Sequence, residues 1–563
     1  MYADFCYIFS RSDRLRFTLL VALMLVGSLI EMITLAAIPI FVSGLMNGLD
    51  GRLIQYFSQE KFPLQGSIVL LCLFFFRTMY FMALHWFQER ILRNRQIALG
   101  SRIFKAYMQV PYGIVRGINS NKLINSVSSE TERLIDGVLS PLTSFIKNGF
   151  VTLAILFLLA FFDWKVSLTA FGLLALFGGA FMLLSRRRIE QQGHLAYSAR
   201  MSVVKLLTEG LHTLKEAIIL GCRGKFTKKL HKELEQQAMA LRVLNTTQKN
   251  LWPAMELLTV LVLVGTFAVL LAGGRTTQMV APTLVLMAAS LARLKGCITE
   301  MMLFFSTLRY NSSALAELAN DLRWLEAVMV EFPKEVEKMD FRDKLSIENL
   351  VFSYPDASEP VLKDVSFQIE CGSSVGFVGT TGSGKTTMAE LILGLFTPGQ
   401  GKITVDGKDI QANLPGWQAL LGFVPQDIYL LDDSIRANVA LGIAPEDVDE
   451  GALQDALASA QLGDFIASLP EGDRTVVGEN GVLLSGGQRQ RIGIARALYR
   501  KPSVLVFDEA TSALDNDTEA AVVSAIEALR GTHTLIIVAH RLTTIASCNK
   551  VYRFEHGTVE LAK

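Results

Sequence analysis

Gly379-Thr380-Thr381-Gly382-Ser383-Gly384-Lys385-Thr386 is the stretch on which the reading of this chain turns. It fits G-x-x-x-x-G-K-[ST], follows the apolar run Ser374–Val378 and precedes the helical pattern Met388–Leu395, the strand–loop–helix context such a motif requires. The glycines let backbone N–H groups wrap phosphate oxygens, and the start of the helix adds a favourable dipole. Lys385 is suited to bridge the β- and γ-phosphates of ATP. Thr386, with Thr387 beside it, offers a hydroxyl to Mg2+.

A second motif lies downstream. The apolar run Ser503–Phe507 ends in Asp508-Glu509. Asp508 falls where a carboxylate holds magnesium, and Glu509 one residue beyond, where a base can orient the attacking water. Around these motifs, short β-type runs (Ser374–Val378, Ser503–Phe507, Thr534–Val538) alternate with helical segments. That pattern predicts an α/β P-loop domain over 345–563.

Upstream the pattern changes. About half of the 563 residues are apolar and only 19% are charged, which points to a membrane class. Six apolar runs are long enough to cross a bilayer: about 17–45, 66–88, 137–161, 166–185, 251–273 and 281–308. The first is too long for a signal-peptide core. A tight turn at Asp163-Trp164-Lys165 is expected between the third and fourth. Lysine and arginine concentrate in 1–16, 89–136 and 186–250, including Arg186-Arg187-Arg188, so these segments and both termini are expected in the cytoplasm. The two long inner segments are poor in glycine and proline and read as helical continuations of the spans. The predicted organisation is a six-span α-helical membrane domain over 1–310, a connector helix over 311–344, and the α/β domain. A net charge of +1 argues against nucleic acid as a partner. The six cysteines form no C-x-x-C pair and no metal-ligand spacing.

With these residues in place, the chain resembles the ATP-binding-cassette exporters. Leu484-Ser485-Gly486-Gly487-Gln488 resembles the family's signature sequence, standing shortly before the Asp508-Glu509 strand. The helix from Arg489 would aim its dipole at that loop. The resemblance implies that the loop completes the ATP site of an opposite protomer in a head-to-tail dimer. It also implies roles for Tyr354 (stacking on adenine), Gln426 (between magnesium and the membrane domain), Ser512–Asp515 (crossing the dimer interface) and His540 (on the γ-phosphate). A homodimer with two competent sites is expected, C2 dimers being the commonest assemblies, with a heterodimer with a related chain as the alternative. Short coupling helices are implied near Pro111–Asn119 and Glu209–Lys215. Val477-Gly478-Glu479-Asn480-Gly481 resembles the exporter loop that senses them, with Asn480 where an arginine is common.

Charges inside the spans bear on cargo. Glu31, Arg77, Arg293, Lys295 and Glu300 fall within apolar runs, where charge is costly and usually faces an interior, a partner or a wet cavity. Two readings stand: Arg77, Arg293 and Lys295 line a cavity that attracts an anionic group, or the arginines pair with Glu31 or Glu300.

Ser28–Glu31, Pro39–Phe41 and Ala292-Arg293-Leu294 resemble bacterial flippases for lipid-linked oligosaccharides, although Lys295-Gly296 stands where that family often has a proline. This resemblance makes a lipid-linked oligosaccharide the leading cargo and membrane lipid a partner, with the bacterial inner membrane as location. A drug, lipid A-type or peptide exporter is the alternative. An ATP-gated channel or regulatory receptor is the alternative of another class. A run at Leu53–Phe57 in the first outer turn either touches a lipid tail or caps the helices.

Overall fold

A computed structural model describes residues 7, 11–47, 62–116, 120–272, 277–331, 333, 336–355, 357, 359–509, 516–539, 541 and 545–563. The chain divides into two units, Met1–Val110 with Gly117–Met329, and Pro111–Arg116 with Val330–Lys563. The outer-turn run at Leu53–Phe57, the interface loop Ser512–Asp515 and His540 lie outside the described residues.

The first unit is helical. Its long helices are α1 (Arg11–Asn47) and α2 (Phe62–Met108); α3 (Tyr112–Val115) belongs to the second unit. Next come α4 (Ser140–His212), α5 (Leu214–Ile219), α6 (Arg223–Ala272), α7 (Thr277–Tyr310) and α8 (Ser312–Val328). Among the described residues four helices are long and apolar enough to cross a membrane: Arg14–Val42, Pro63–Met108, Thr131–Phe161 and Arg223–Ala268. The expected spans 166–185 and 281–308 also fall in helical backbone, though some of their side chains lie outside the described residues. Leu71, Phe75, Phe76, Phe157 and Leu261 stand exposed on these helices. Apolar surface on that scale is what lipid covers.

Helical backbone runs without a break through Asp163–Lys165, the site of the expected turn. The contacts nevertheless require the chain to reverse there. Thr152 lies 4.0 Å from the Met301 sulfur, while a Cβ on Gly178 would lie 3.4 Å from that of Met302. Twenty-six residues of straight helix span about 39 Å, so 152 and 178 cannot both reach adjacent methionines unless the chain folds back. Gly137 meets Asn311 and Gly193 meets Tyr310, a second pair of contacts equidistant from residue 165. The contacts place the reversal between 152 and 178, symmetrically about the expected turn, although helical backbone continues through that turn.

Other departures are local. The connector helix spans only Ser312–Val328, and among the described residues no regular structure follows before Lys344. Near Glu209–Lys215 the helix breaks at Thr213 (φ −98°, ψ 20°) before α5.

The second unit holds two sheets. One is antiparallel in the order β2 (Leu362–Glu370), β1 (Lys344–Phe352), β4 (Gln400–Val405), β5 (Lys408–Asp409). The other runs β10 (Thr558–Leu561), β9 (Lys550–Glu555), β3 (Ser374–Gly379), β8 (Thr534–Val538), β7 (Val504–Asp508), β6 (Leu421–Val424). In this sheet β6, β7, β8, β3 and β9 pair in parallel. The central strands β3, β7 and β8 are buried along most of their length, and all five residues of β8 are buried. Two side-chain clusters flank the sheet. One holds Val375, Phe377, Val506 and Ile536 with Trp417, and the other Leu505, Phe507, Leu535 and Ile537 with Ile492. The alternation along each strand puts these neighbours on opposite faces.

The fold positions the site through strand order. The loops after β3, β7 and β6 carry the phosphate loop, Asp508-Glu509 and Gln426. All leave the same, carboxyl edge of the parallel strands, where ligands of open α/β sheets bind.

Candidate functional site: a nucleotide cradle and a basic cavity

The loop between β3 and α9 (Lys385–Ile392) bends as its glycines allow. Gly379 has φ +149°, and a Cβ there would strike the Phe554 carbonyl and lie 2.8 Å from Ser383 Oγ. Gly384, at φ +103°, starts α9 and would push a Cβ to 2.7 Å from Leu362. Only glycine fits both positions. Thr380, Thr381 and Gly382 are exposed along the loop.

Lys385 is buried and its Nζ donates to the carbonyls of Gly379 and Thr380, each at 2.9 Å. Burial lowers its pKa from the usual lysine value. Ser383 Oγ is buried without a partner, an orphan that a phosphate oxygen would satisfy. Thr386 Oγ1 donates to Asp508 Oδ1 at 3.3 Å, which brings two hard oxygen ligands together. Burial first, then the neighbouring Glu509, pushes the Asp508 carboxyl up to about 6. A divalent cation beside it would restore its charge.

Glu509 adopts φ +51°, a left-handed conformation uncommon for a residue with a side chain, and its N–H donates to the Val538 carbonyl at 3.0 Å. Such backbone strain concentrates at functional sites. Its Oε2 accepts from Gln426 Nε2 at 2.9 Å, so the loops after β6 and β7 meet at this carboxylate. Thr386, Asp508, Glu509, Gln426 and Lys385 therefore form one constellation.

Tyr354 stands beside it. Its hydroxyl pairs with Thr387 Oγ1 at 2.9 Å and donates to Glu390 Oε2 at 3.2 Å, both on α9. The signature stretch starts the helix α10 (Gly486–Tyr499) with a capping box: Ser485 Oγ accepts from the Gln488 N–H and Gln488 Oε1 from the Ser485 N–H. Ser485 and Gly486 are exposed while Gly487 is buried, so the positive end of a 14-residue helix faces outward. Just upstream, Asn480 sits at φ +52° between Gly478 (φ +74°) and Gly481 (φ +68°). Asparagine tolerates the left-handed region better than an arginine would, which gives its presence a local reason.

The helical unit holds an open cavity of about 550 Å³ whose lining includes Arg77, His85, Lys147, Arg293 and Glu300. Buried Glu31 lies behind it. Arg77 makes two hydrogen bonds to its carboxylate, at 2.6 and 2.8 Å, and Arg293 Nε lies 2.6 Å from Oε1. The two arginines thus pair with Glu31 and also line the cavity. One carboxylate cannot neutralise two guanidiniums. With Lys147 and Glu300 counted, three cations face two carboxylates.

Lys295 does not line the cavity. Its Nζ lies 3.9 Å from Glu256 and 5.9 Å from the centre of the Trp252 ring. Helix geometry explains the difference: Arg293, Gly296, Cys297 and Glu300 share one face, whereas a residue two positions from Arg293 points roughly 200° away. Lys147 is the cation that sequence reasoning passed over. The signal was present, a lysine inside the apolar run 137–161.

Comparison with known proteins sets this geometry in context. Residues 362–512 match the family described as "ABC transporter", and residues 21–293 match "ABC transporter transmembrane region". The chain is 31% identical over 483 residues to an ATP-dependent lipid A-core flippase of Shewanella denitrificans, covering 81% of this chain and 76% of the relative. The protein of the same name from Cupriavidus metallidurans is 30% identical over 469 residues, covering 81% and 77%. Among solved structures, a bacterial Atm1-family ABC exporter with ATP bound is similar, with a TM-score of 0.77 at 25% identity over 98% of this chain and 94% of that one.

Proposed function

The chain belongs to the ABC transporter family as an exporter-type half-transporter, and from that premise we propose that a dimer of it moves a phosphate-bearing glycolipid from the inner to the outer leaflet. It is a transport ATPase of the membrane. The observation that carries the cargo reading is the basic cavity of the helical unit, with three cations against two carboxylates. A phosphate matches that excess, and acyl or prenyl chains can stay in lipid while the head enters.

Between glycolipids, the names of the relatives favour a lipid A-type molecule. A lipid-linked oligosaccharide presents the same phosphate chemistry and stands second.

In the proposed mechanism two chains form a homodimer, the signature loop Ser485–Gln488 of each closing on ATP held by the other. Lys385 and the backbone of Gly379–Gly384 hold the phosphates, and Ser383 Oγ gains the partner it lacks. Thr386, Asp508 and Gln426 would hold magnesium, their oxygen donors suiting a hard cation. When bound, the ion neutralises charge developing on the transferred phosphoryl group. Glu509, held by Gln426, accepts a proton from the attacking water, and His540 contacts the γ-phosphate. Tyr354 stacks on adenine. ATP binding closes the pair and turns the cavity outward; hydrolysis resets it, with both termini and the ATPase domain in the cytoplasm.

The test uses the full chain in sealed liposomes containing either a lipid A-type glycolipid or a short polyprenyl-diphosphate glycan. The head's accessibility to an added enzyme is followed with and without ATP. ATP-dependent relocation of the lipid A-type molecule is expected. Relocation of the glycan alone would reverse the order of the two cargoes, and relocation of neither would end the glycolipid reading.

A further inference from the structure

The segment Pro111–Arg116 belongs to the second unit, although in sequence it follows directly on α2. It rests on aromatic side chains beside the nucleotide cradle. Tyr112 meets Phe396 nearly edge to face at 5.8 Å between ring centres, and a Cβ on Gly113 would lie 2.9 Å from the same ring. At the end of the segment, the Arg116 guanidinium carbon lies 5.1 Å from the centre of the Tyr354 ring, within cation–π range. Its Nη1 lies 3.5 Å from Glu390 Oε2, the same oxygen that accepts from the Tyr354 hydroxyl.

The ring of Tyr354 is therefore held in several ways at once. Phe352 and Phe396 pack against it at 5.1 and 5.4 Å, each close to perpendicular. Thr387 and Glu390 fix its hydroxyl, and Arg116 lies over the ring. Glu390 is the shared acceptor, on the helix that begins with the phosphate-binding Lys385. Burial pushes its carboxyl above the ordinary range, against the pull of Arg116 and of the Tyr354 hydroxyl. Aromatic stacking depends on ring placement, so a group that fixes the ring also tunes affinity for the base.

We propose that Arg116 is a positioning residue for the nucleotide base: together with Glu390 it holds the Tyr354 ring in the orientation on which adenine stacks. This rests on the reading of Tyr354 as the adenine-stacking aromatic. It makes base affinity sensitive to the segment that joins α2 to the helices beyond it. An arginine suits the task because its planar cation lies over a ring and reaches a carboxylate at the same time; lysine does only the second well.

The experiment measures ATPase kinetics of the full chain in lipid nanodiscs for Tyr354→Ala, Arg116→Ala, Arg116→Lys and the double variant Tyr354→Ala/Arg116→Ala. Inhibition by inorganic tripolyphosphate, which has no base, is measured alongside. Arg116→Ala is expected to raise the KM for ATP roughly three- to tenfold, the range of a cation–π contact, with kcat within about twofold. Arg116→Lys is expected to recover part of the loss, and tripolyphosphate inhibition to stay the same in every variant. On the Tyr354→Ala background, removing Arg116 should add nothing, because the two act as one unit.

If Tyr354→Ala leaves KM unchanged, the adenine reading itself fails and the inference falls with it. If Tyr354→Ala raises KM but Arg116→Ala does not, or if the two effects add, the inference alone fails. A KM lowered by Arg116→Ala would mean that the guanidinium competes with the base, and would also overturn it.

Discussion

The nucleotide cradle and the membrane cavity are both built from charged side chains on a scaffold of buried apolar residues, yet they hold charge in opposite ways. In the cradle the groups sit on loops at one edge of a parallel sheet, their spacing fixed by adjacent strands. Gln426, Asp508 and Glu509 are neighbours because β6 and β7 are neighbours. In the cavity the charges come from separate helices, and their meeting depends on which helix faces pack together. Glu31, Arg77 and Arg293 lie on α1, α2 and α7. A local motif determines the first site; only tertiary packing determines the second.

The largest effect expected is at Glu509. Glu509→Gln should preserve ATP binding and lower hydrolysis by on the order of a hundredfold or more, since a positioned base commonly supplies that factor. Phosphate release at saturating ATP measures it. Turnover near that of the unaltered protein would remove Glu509 from the proposed mechanism, and with it the contrast between a motif-defined and a packing-defined site.

Next comes Glu31, which is 1% exposed and bridges two arginines. Glu31→Gln leaves both partly exposed guanidiniums without their counter-charge, a loss smaller than for a fully buried pair but still destabilising. A clearly lower melting temperature in detergent is expected, together with loss of transport. An unchanged melting temperature with lost transport would assign the pair to cargo alone.

These two sites differ in what the sequence discloses, and the reasons are physical. The cradle was legible because glycines at Gly379 and Gly384 are demanded by backbone shape, so motif and geometry coincide. The turn at Asp163–Lys165 was legible from hydropathy, and contacts on either side of it require the reversal. Lys295 was misjudged because proximity in sequence to Arg293 says nothing of helix face. Lys147 carries no motif, and only the packing of the helices shows that it lines the cavity. Arg116 and Glu390 carry no motif at all; only folding brings them to Tyr354. The connector helix ends at Val328, short of the expected Lys344, because polar composition alone does not distinguish helix from extended chain beyond that point.

Lys147→Ala should lower transport of a phosphate-bearing glycolipid by about tenfold, the effect of one charge-assisted contact. Lys295→Ala should stay within about twofold, because Lys295 is outside the cavity lining and its 3.9 Å ion pair has an exposed partner in Glu256. Initial rates of head relocation in liposomes compare the two. Equal losses would mean that the cavity lining does not identify the cargo contacts.

The smallest effect belongs to the ATPase unit. Asp406 accepts from the backbone N–H groups of Arg342, Asp343 and Lys344, at 2.7 to 3.0 Å. Burial is the strongest single influence and raises its carboxyl, but the three bonds and the Arg342 charge together outweigh it and leave it below the usual carboxylate range. Its stabilising contribution is therefore full above the ordinary aspartate pKa and is lost as pH falls through the lowered one. Asp406→Asn should melt a few degrees lower at neutral pH, with the gap closing in acid. A gap independent of pH would contradict the assignment.

The most direct measurement of the central claim is the affinity of the full chain, in nanodiscs, for one glycolipid with and without its phosphate. Lys147→Ala is measured beside the unaltered protein. The expected result is binding about tenfold weaker without the phosphate, a difference that largely disappears in Lys147→Ala. Equal affinity of the unaltered protein for both lipids would contradict recognition of an anionic head by the basic cavity.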